Sequence, residues 1–498
     1  MKKRNLLISL FLVLGVFFCH GQTITSTESH YYSMRGNTDP VICTNPNDNN
    51  NAIICFSDST TRNPCFIYHN HSASGTARKC LWPTSATQYG FTHYLVRDMT
   101  VIGDRCYFCG TKTSDTGAVY TIQGYLMILS ETTGFFGWFD LAQMANPSAT
   151  SLNFHLFNIP VVPPKRMAGI IENGVTKLGF INETTLALVK GDGYSWSNMV
   201  ESLALGTEEL VDIAFTDNHL VTLSRFSGES FSFGLRSEPI SDAFFFIHPD
   251  PQSNYYHGVK FNTTPMTTLS LPEQYPTMQP TDVTMRMASH PGSDFLTVAY
   301  DGKKYEEGDC SHFGFYTPMF LMDLSGCHPG NVDITMSAAM LVTNPLLKLS
   351  SYSLQDMGYL PLGNTYAIAL LHGMDYENYG LWSILQTPSW IQYGNLQGVQ
   401  ADNRGFKSMD VDGNGWIHLA GWLQRDRKLL QSRQDGNHME RSCDATRPVA
   451  FTEALTPLVE GTDVLITPPS IPLHNISQEQ HSVDITGTEY YIKCTTAY

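Results

Sequence analysis

The chain has 498 residues, of which 15% are charged and 42% hydrophobic, and a formal net charge of −16. An acidic surface repels phosphate backbones, which argues against a nucleic-acid partner. Charge this sparse, against a usual share of about 25%, leaves the surface to Asn, Thr, Ser, Gly and Tyr, residues that suit strands and turns better than helices.

At the start, Lys2, Lys3 and Arg4 precede a mostly apolar run from Leu6 to Phe18. The run is short for a bilayer span and reads as a secretory signal peptide, residues 1–21, cleaved after Gly21. A lipid anchor on Cys19 is the competing reading, against which the bulky Phe17 and Phe18 stand where such signals carry small residues. No later stretch is long and apolar enough for a membrane helix. The mature chain, 22–498, is therefore expected to be exported, whether secreted, periplasmic or held at the cell surface. Loss of the three basic residues of the leader, which has no acid, takes the charge from −16 to −19.

Seven strand–turn–strand units follow. They begin near residues 41 (VICTNPNDNNNAIICF), 98 (DMTVIGDRCYFCG), 166 (RMAGIIENGVTKLGFI), 210 (LVDIAFTDNHLVTLSRF), 283 (VTMRMASHPGSDFLTVAY), 355 (QDMGYLPLGNTYAIALLHG) and 407 (KSMDVDGNGWIHLAG). In each, two β-prone runs flank a turn rich in Gly, Asn or Asp, residues that tolerate the positive φ of tight hairpins. Further strands recur behind some of them: GYLMILSETTG from 124, MFLMDLSGCHPG from 319 and GLWSILQTPSW from 380. A hairpin plus two more strands makes a four-stranded unit, and seven of these predict an all-β, seven-bladed β-propeller over 22–498. Radial packing disposes of the edges that an open sheet would expose. The ring is expected to close by pairing the chain ends, through EYYIKCTTAY at 489–498. Two packed β-sandwich domains are the alternative.

The units at 98 and 407 resemble the inner hairpins of bacterial secreted β-propeller repeat proteins, where an Asp/Gly/Asn turn separates two apolar strands. The resemblance implies a fold and no particular activity.

Ten of the eleven cysteines lie beyond the leader, an even number that favours disulfides in an exported chain. Cys310 with Cys327, Cys43 with Cys55 across their hairpin, and Cys443 with Cys494 are the expected pairs. Cys106 and Cys109 sit three apart on a strand, so their sulfurs diverge to opposite faces and serve as structure rather than as a redox or metal pair. Asp410, Asp412 and Asn414, followed by Gly415, match the opening of an EF-hand calcium loop, but Gly421 stands where its bidentate glutamate belongs. Calcium there is the one cofactor the sequence offers, and a plain hairpin turn accounts for the same residues. The segment also nearly matches the Asp box of sialidase-like propellers through Ser408, Asp410, Gly413 and Trp416, with one residue too many. His69 and His71 would share one face if extended and could ligate a metal, but a pair of histidines in a polar loop reads first as solvated. The tryptophans are expected mostly between blades.

There is no HExxH, GxSxG, Walker or dinucleotide motif. The sequence thus predicts an exported, non-catalytic propeller that binds a glycan or an envelope or host protein through loops at one end of the ring. A polysaccharide hydrolase or lyase with carboxylates in the central channel is the enzymatic alternative. A structural subunit of a surface assembly, marked by a large apolar patch, is the third reading.

Overall fold

The computed structural model describes residues 25–497 apart from connecting segments, the longest of them 227–242, 262–283 and 437–449. The expected signal peptide, Cys19, Cys310 and Cys443 lie outside the described residues. Almost everything described is strand. One helix, Leu141–Ala145, is a single short turn capped by Asp140. Among the described residues no helix is long and apolar enough to cross a membrane.

Each of the seven predicted hairpins forms the first two strands of an antiparallel sheet. Blade 1 comprises Val41–Asn45, Asp48–Ser57, Pro64–Asn70 and Thr76–Leu81, and blade 2 comprises Phe91–Ile102, Arg105–Ile122, Tyr125–Asp140 and Ser151–Ile159. Blades 3 to 6 occupy residues 166–201, 208–261, 285–343 and 352–401. Blade 7, residues 404–435, supplies three strands, and the N-terminal strand Thr25–Arg35 is its fourth. The first strand of every blade packs against the first strands of both neighbouring blades, so seven inner strands close a ring. The fold is a seven-bladed β-propeller.

The turns form as their residues dictate. Asn173 and Gly174 both take positive φ, 51° and 77°, in the tight turn of the blade 3 hairpin. Between blades the strands do not pair. They stack through apolar side chains, and a buried cluster fills six of the seven seams among the described residues. Cys106 lies in the blade 1–2 cluster with Phe66, Phe108 and Phe154, and Cys109 lies in the blade 2–3 cluster with Phe136 and Phe180. The two sulfurs therefore serve opposite faces of one strand, as the spacing predicts. Trp82, Trp138, Trp196 and Trp422 are buried in these seams.

The Cys43–Cys55 expectation needs correction. Cys43 and Cys55 are free, buried thiols. Their hairpin register sets Cys43 opposite Ile53 and Cys55 opposite Val41, so the two are offset diagonally rather than facing. The sulfur of Cys43 instead lies 3.7 Å from that of Cys106, across the seam. The Cys310–Cys327 and Cys443–Cys494 expectations each involve a residue outside the described ones. Cys494 lies on the final strand, opposite Ser29.

The closure goes further than an N-to-C pairing. After blade 7 the chain runs back around the outside of the ring. Ala450–Leu455 pairs with the outer strand of blade 5, and Val459–Ile466 with that of blade 4. The final strand, Gln478–Ala497, then pairs in succession with Ser151–Ile159 of blade 2, Thr76–Leu81 of blade 1 and the N-terminal strand of blade 7. Five outer edges that would otherwise offer bare N–H and C=O groups are covered by this belt.

Two glycines mark where the ring is tightest. The inner strands of blades 2 and 7 carry a β-bulge, between Val96 and Asp98 and between Phe406 and Ser408. The bulge drives a carbonyl against the second strand. A Cβ at Gly110 would lie 1.9 Å from the Leu95 oxygen, and one at Gly421 would lie 2.1 Å from the Gly405 oxygen. Gly110→Ala and Gly421→Ala are each expected to cost about 1–3 kcal/mol or more, as overpacking against backbone does. Gly487→Ala, where a Cβ meets nothing within 4 Å, should be neutral; urea denaturation of the three variants checks this. Ending the chain after residue 477 uncovers three blade edges and is expected to yield aggregated protein by gel filtration.

Candidate functional site

The seven inner strands repeat a two-residue signature in which the second position is apolar: Val41-Ile42, Asp98-Met99, Arg166-Met167, Asp212-Ile213, Arg286-Met287, Asp356-Met357 and Ser408-Met409. The apolar member is buried in a seam in all seven. Most of the first members line a central cavity of about 290 Å³ that residues from all seven blades enclose.

The acids there act as joints between blades. Asp98 accepts the Met99 amide of its own strand and the Met167 amide of blade 3, each at 2.9 Å. Asp212 does the same with Ile213 at 3.0 Å and Met287 of blade 5 at 2.7 Å. Asp356 takes Met357 at 3.0 Å and Met409 of blade 7 at 2.9 Å. The step from blade 7 to blade 1 uses two side chains. Ser408 accepts the Ile42 amide at 3.2 Å, and Asp410 accepts the Val411 amide at 2.8 Å and the Thr44 amide at 2.7 Å. Every strand that carries Asp98, Asp212, Asp356 or Ser408 has a bulge just before that residue. The bulge re-aims the side chain along the rim toward the next blade.

Arg166 and Arg286 sit between the acids. Burial alone would lower the pKa of Arg166, but Asp98, Asp212 and Asp356 more than reverse this and raise it. Arg286 donates from Nε to the Gln355 carbonyl of blade 6 at 2.9 Å. Burial also pushes the Asp98 carboxyl up to about 6, against the pull of Arg166 and the two amides. Asp410 is likewise raised to about 6 by burial, opposed by Thr44, and Asp212 is raised by burial against Arg166 and Arg286. The enzymatic alternative needs channel carboxylates, and they are present. Each, however, spends both oxygens on backbone amides, which leaves the geometry of a joint rather than of a free acid–base pair.

The calcium candidates are turned apart. Asp410 faces Thr44, whereas Asp412 accepts the Asn414 and Trp416 amides at 2.9 and 3.0 Å through one oxygen and meets His418 Nε2 at 3.0 Å with the other. Asp412 therefore holds the hairpin turn. His69 and His71 are not in a solvated loop. Both side chains are fully buried in the blade 7–1 seam, where His30 of the N-terminal strand joins them. Of the described residues, these three form the group able to offer nitrogens to one ion, with ligand atoms within 4.8 Å of one another.

A second feature lies at the end of the ring. The second and third strands of blade 2 run on past their neighbours: Arg105–Ile122 loses its inner partner beyond Thr113, and Tyr125–Asp140 loses its outer partner before Gly134. What remains, 114–133, is a two-stranded arm with no strand paired to either edge among the described residues, closed by Gln123 and Gly124 at positive φ. Val119, Tyr120, Ile122, Tyr125, Leu126, Met127, Ile128 and Leu129 are 42–76% exposed on it. Antiparallel order within a blade places this hairpin at the same end as the crossings from one blade to the next.

No family model matches the chain, and no curated protein matches it. Among solved structures it is similar to Drosophila Semaphorin 2a, with a TM-score of 0.39 and 10% identity over 82% of this chain and 75% of that one. At that score the likeness bears on neither site nor partner, and the resemblance to secreted propeller repeats stays at the level of fold.

Because the folded-state value of Asp98 exceeds its ordinary 3.8, its favourable contribution is complete below that value and is lost as pH rises through about 6. Asp98→Asn strands one buried amide, which costs about 1–3 kcal/mol, and removes the titration. The stability gap between wild type and Asp98→Asn is therefore expected to narrow from pH 4 to pH 7 in urea denaturation. A gap that widens would show that burial does not raise the Asp98 carboxyl.

Proposed function

We propose that the protein is an exported binding propeller that recognises another protein through the arm at residues 114–133. The observation that carries this reading is the arm's apolar surface, exposed on both faces and along both edges. A two-stranded ribbon is marginal alone in water, and an uncovered apolar edge invites pairing. Contiguous exposed apolar surface of this kind marks a contact site, and Tyr125 and Leu126, at 74% and 76% exposure, stand at its tip as anchors. An edge that can accept a strand from a partner supplies backbone affinity, and alternate side chains supply selectivity.

Among the possibilities that the sequence opens, this favours a protein over a glycan. Sugar recognition calls for a concave site with stacking rings and convergent polar groups, and the central cavity offers carboxylates already engaged by amides. Export rests on the leader. The rigid ring supplies a platform that holds the arm at one end, as propeller loops do.

Replacing 116–129 by an Asn-Gly turn removes the arm while leaving blade 2 its pairing up to Thr113 and Gly134. The shortened protein is expected to keep the wild-type thermal midpoint and to lose retention of envelope or host proteins in cross-linking, while both forms stay blank on a glycan array. Equal protein retention by the two forms, or a glycan bound by both, would overturn the reading.

A further inference from the structure

We propose that His30, His69 and His71 form a buried site for a divalent transition ion of the zinc class, which pins the N-terminal strand to blade 1. His69 lies near the end of the third strand of blade 1, Pro64–Asn70, and His71 just past that end, with the two rings against each other. His30 reaches them from Thr25–Arg35, the strand that completes blade 7. The ring centroids are 4.3 Å apart for His69 and His71, 4.7 Å for His30 and His69, and 5.7 Å for His30 and His71.

The clearest sign of a missing ligand is His69. The residue is 0% exposed, and its Nε2 has no hydrogen-bond partner. A buried polar atom without a partner costs free energy and calls for an explanation. Its other nitrogen, Nδ1, is held by the hydroxyl of Tyr32. The same arrangement repeats around the cluster: His30 Nδ1 meets Gln431 Oε1 at 3.2 Å, and His71 Nδ1 meets Glu28 Oε2 at 3.1 Å. Metal-ligating histidines are oriented in this way, with one nitrogen fixed by a carboxylate, carbonyl or hydroxyl and the other left for the ion. His71 Nε2 lies 3.2 Å from Gln431 Nε2, a contact that an ion would replace.

Arg433 is not free to oppose an ion: its Nη2 lies 3.4 Å from Glu28, and its guanidinium stacks over Trp416 at 4.4 Å. Imidazole donors suit zinc, copper and nickel rather than calcium or magnesium. Two nitrogens bound to one tetrahedral zinc stand about 3.4 Å apart, so filling the site draws the ligand atoms, now within 4.8 Å, together by roughly an ångström. Enclosure fits an ion taken up as the ring closes, with the fourth tetrahedral position left to a small ligand.

The test uses untagged mature protein made in zinc-supplemented medium, gel-filtered, and assayed for metal by plasma mass spectrometry. About one zinc per chain is expected, falling at least tenfold in His69→Gln and unchanged in His481→Gln. If His69→Gln does not fold, the wild type still decides: dialysis against a chelator should lower its thermal midpoint by several degrees, and zinc alone should restore it. Stoichiometric copper or nickel in place of zinc, lost in the same variant, also supports the site. Wild type that carries no metal and whose midpoint zinc does not move, or His69→Gln that keeps its metal, would overturn it.

Discussion

The fold depends on carboxylates that tie inner strands together where no ladder can. Within a blade every strand is hydrogen-bonded to the next, but from blade to blade the inner strands meet side-on with no pairing. Apolar stacking holds the wide outer part of each seam. At the narrow rim there is room for little side-chain volume, and the backbone amides of seven strands crowd one axis. Asp98, Asp212, Asp356 and Asp410 each bridge an amide of their own strand and an amide of the next. A hydrogen bond to a charged group contributes about 1.5–3 kcal/mol, and grouping four acids costs part of that through repulsion. Arg166 and Arg286, interleaved between them, offset the repulsion. The bulges and the glycines opposite them follow from this need. Without the bulge the carboxylate points elsewhere, and without Gly110 or Gly421 the bulge has no space.

That dependence explains why the fold was legible and the channel was not. The hairpins are local. An Asn-Gly or Asp-Gly pair between two apolar runs declares itself within a dozen residues, and all seven predicted units became inner hairpins. Opposite faces for Cys106 and Cys109 follow from strand parity alone. The signature Asp-Met, Arg-Met, Asp-Ile, Arg-Met, Asp-Met, Ser-Met was present in the same quoted stretches, yet its meaning needs the ring: only side by side do acid and base alternate. The Cys43–Cys55 expectation failed on register, since a two-residue offset in the hairpin sends Cys43 toward Cys106. His30 was missed because nothing local links it to His69, some forty residues on. The belt was invisible for the same reason, being paired with strands hundreds of residues earlier.

The arm and the hub divide the molecule's surface chemistry. At the hub, polar groups are saturated by the backbone, so the channel is spent on architecture. The arm is the reverse: it has apolar side chains without cover and backbone edges without partners, in a chain that otherwise covers five of its outer edges with its own C-terminal segment. A fold that covers five of its seven outer edges among the described residues gives weight to the apolar arm, whose edges it leaves open.

The seam between blades 7 and 1 carries a burden the others do not. Every other pair of neighbouring blades is consecutive in the chain and tethered by a connection, whereas blade 7 must wait for strand Thr25–Arg35, made first, to meet Lys428–Asp435, made some four hundred residues later. The loop-closure entropy for that meeting is the largest in the molecule. The structure concentrates its non-local devices there: the double joint of Ser408 and Asp410, the Tyr32, Tyr490 and Trp422 packing, the end of the belt, and the three histidines. A ligand bound across this seam by groups from both sides stabilises only the closed ring, since the open chain holds those groups far apart. The place where the sequence makes closure most expensive is thus the place where an ion would act most effectively.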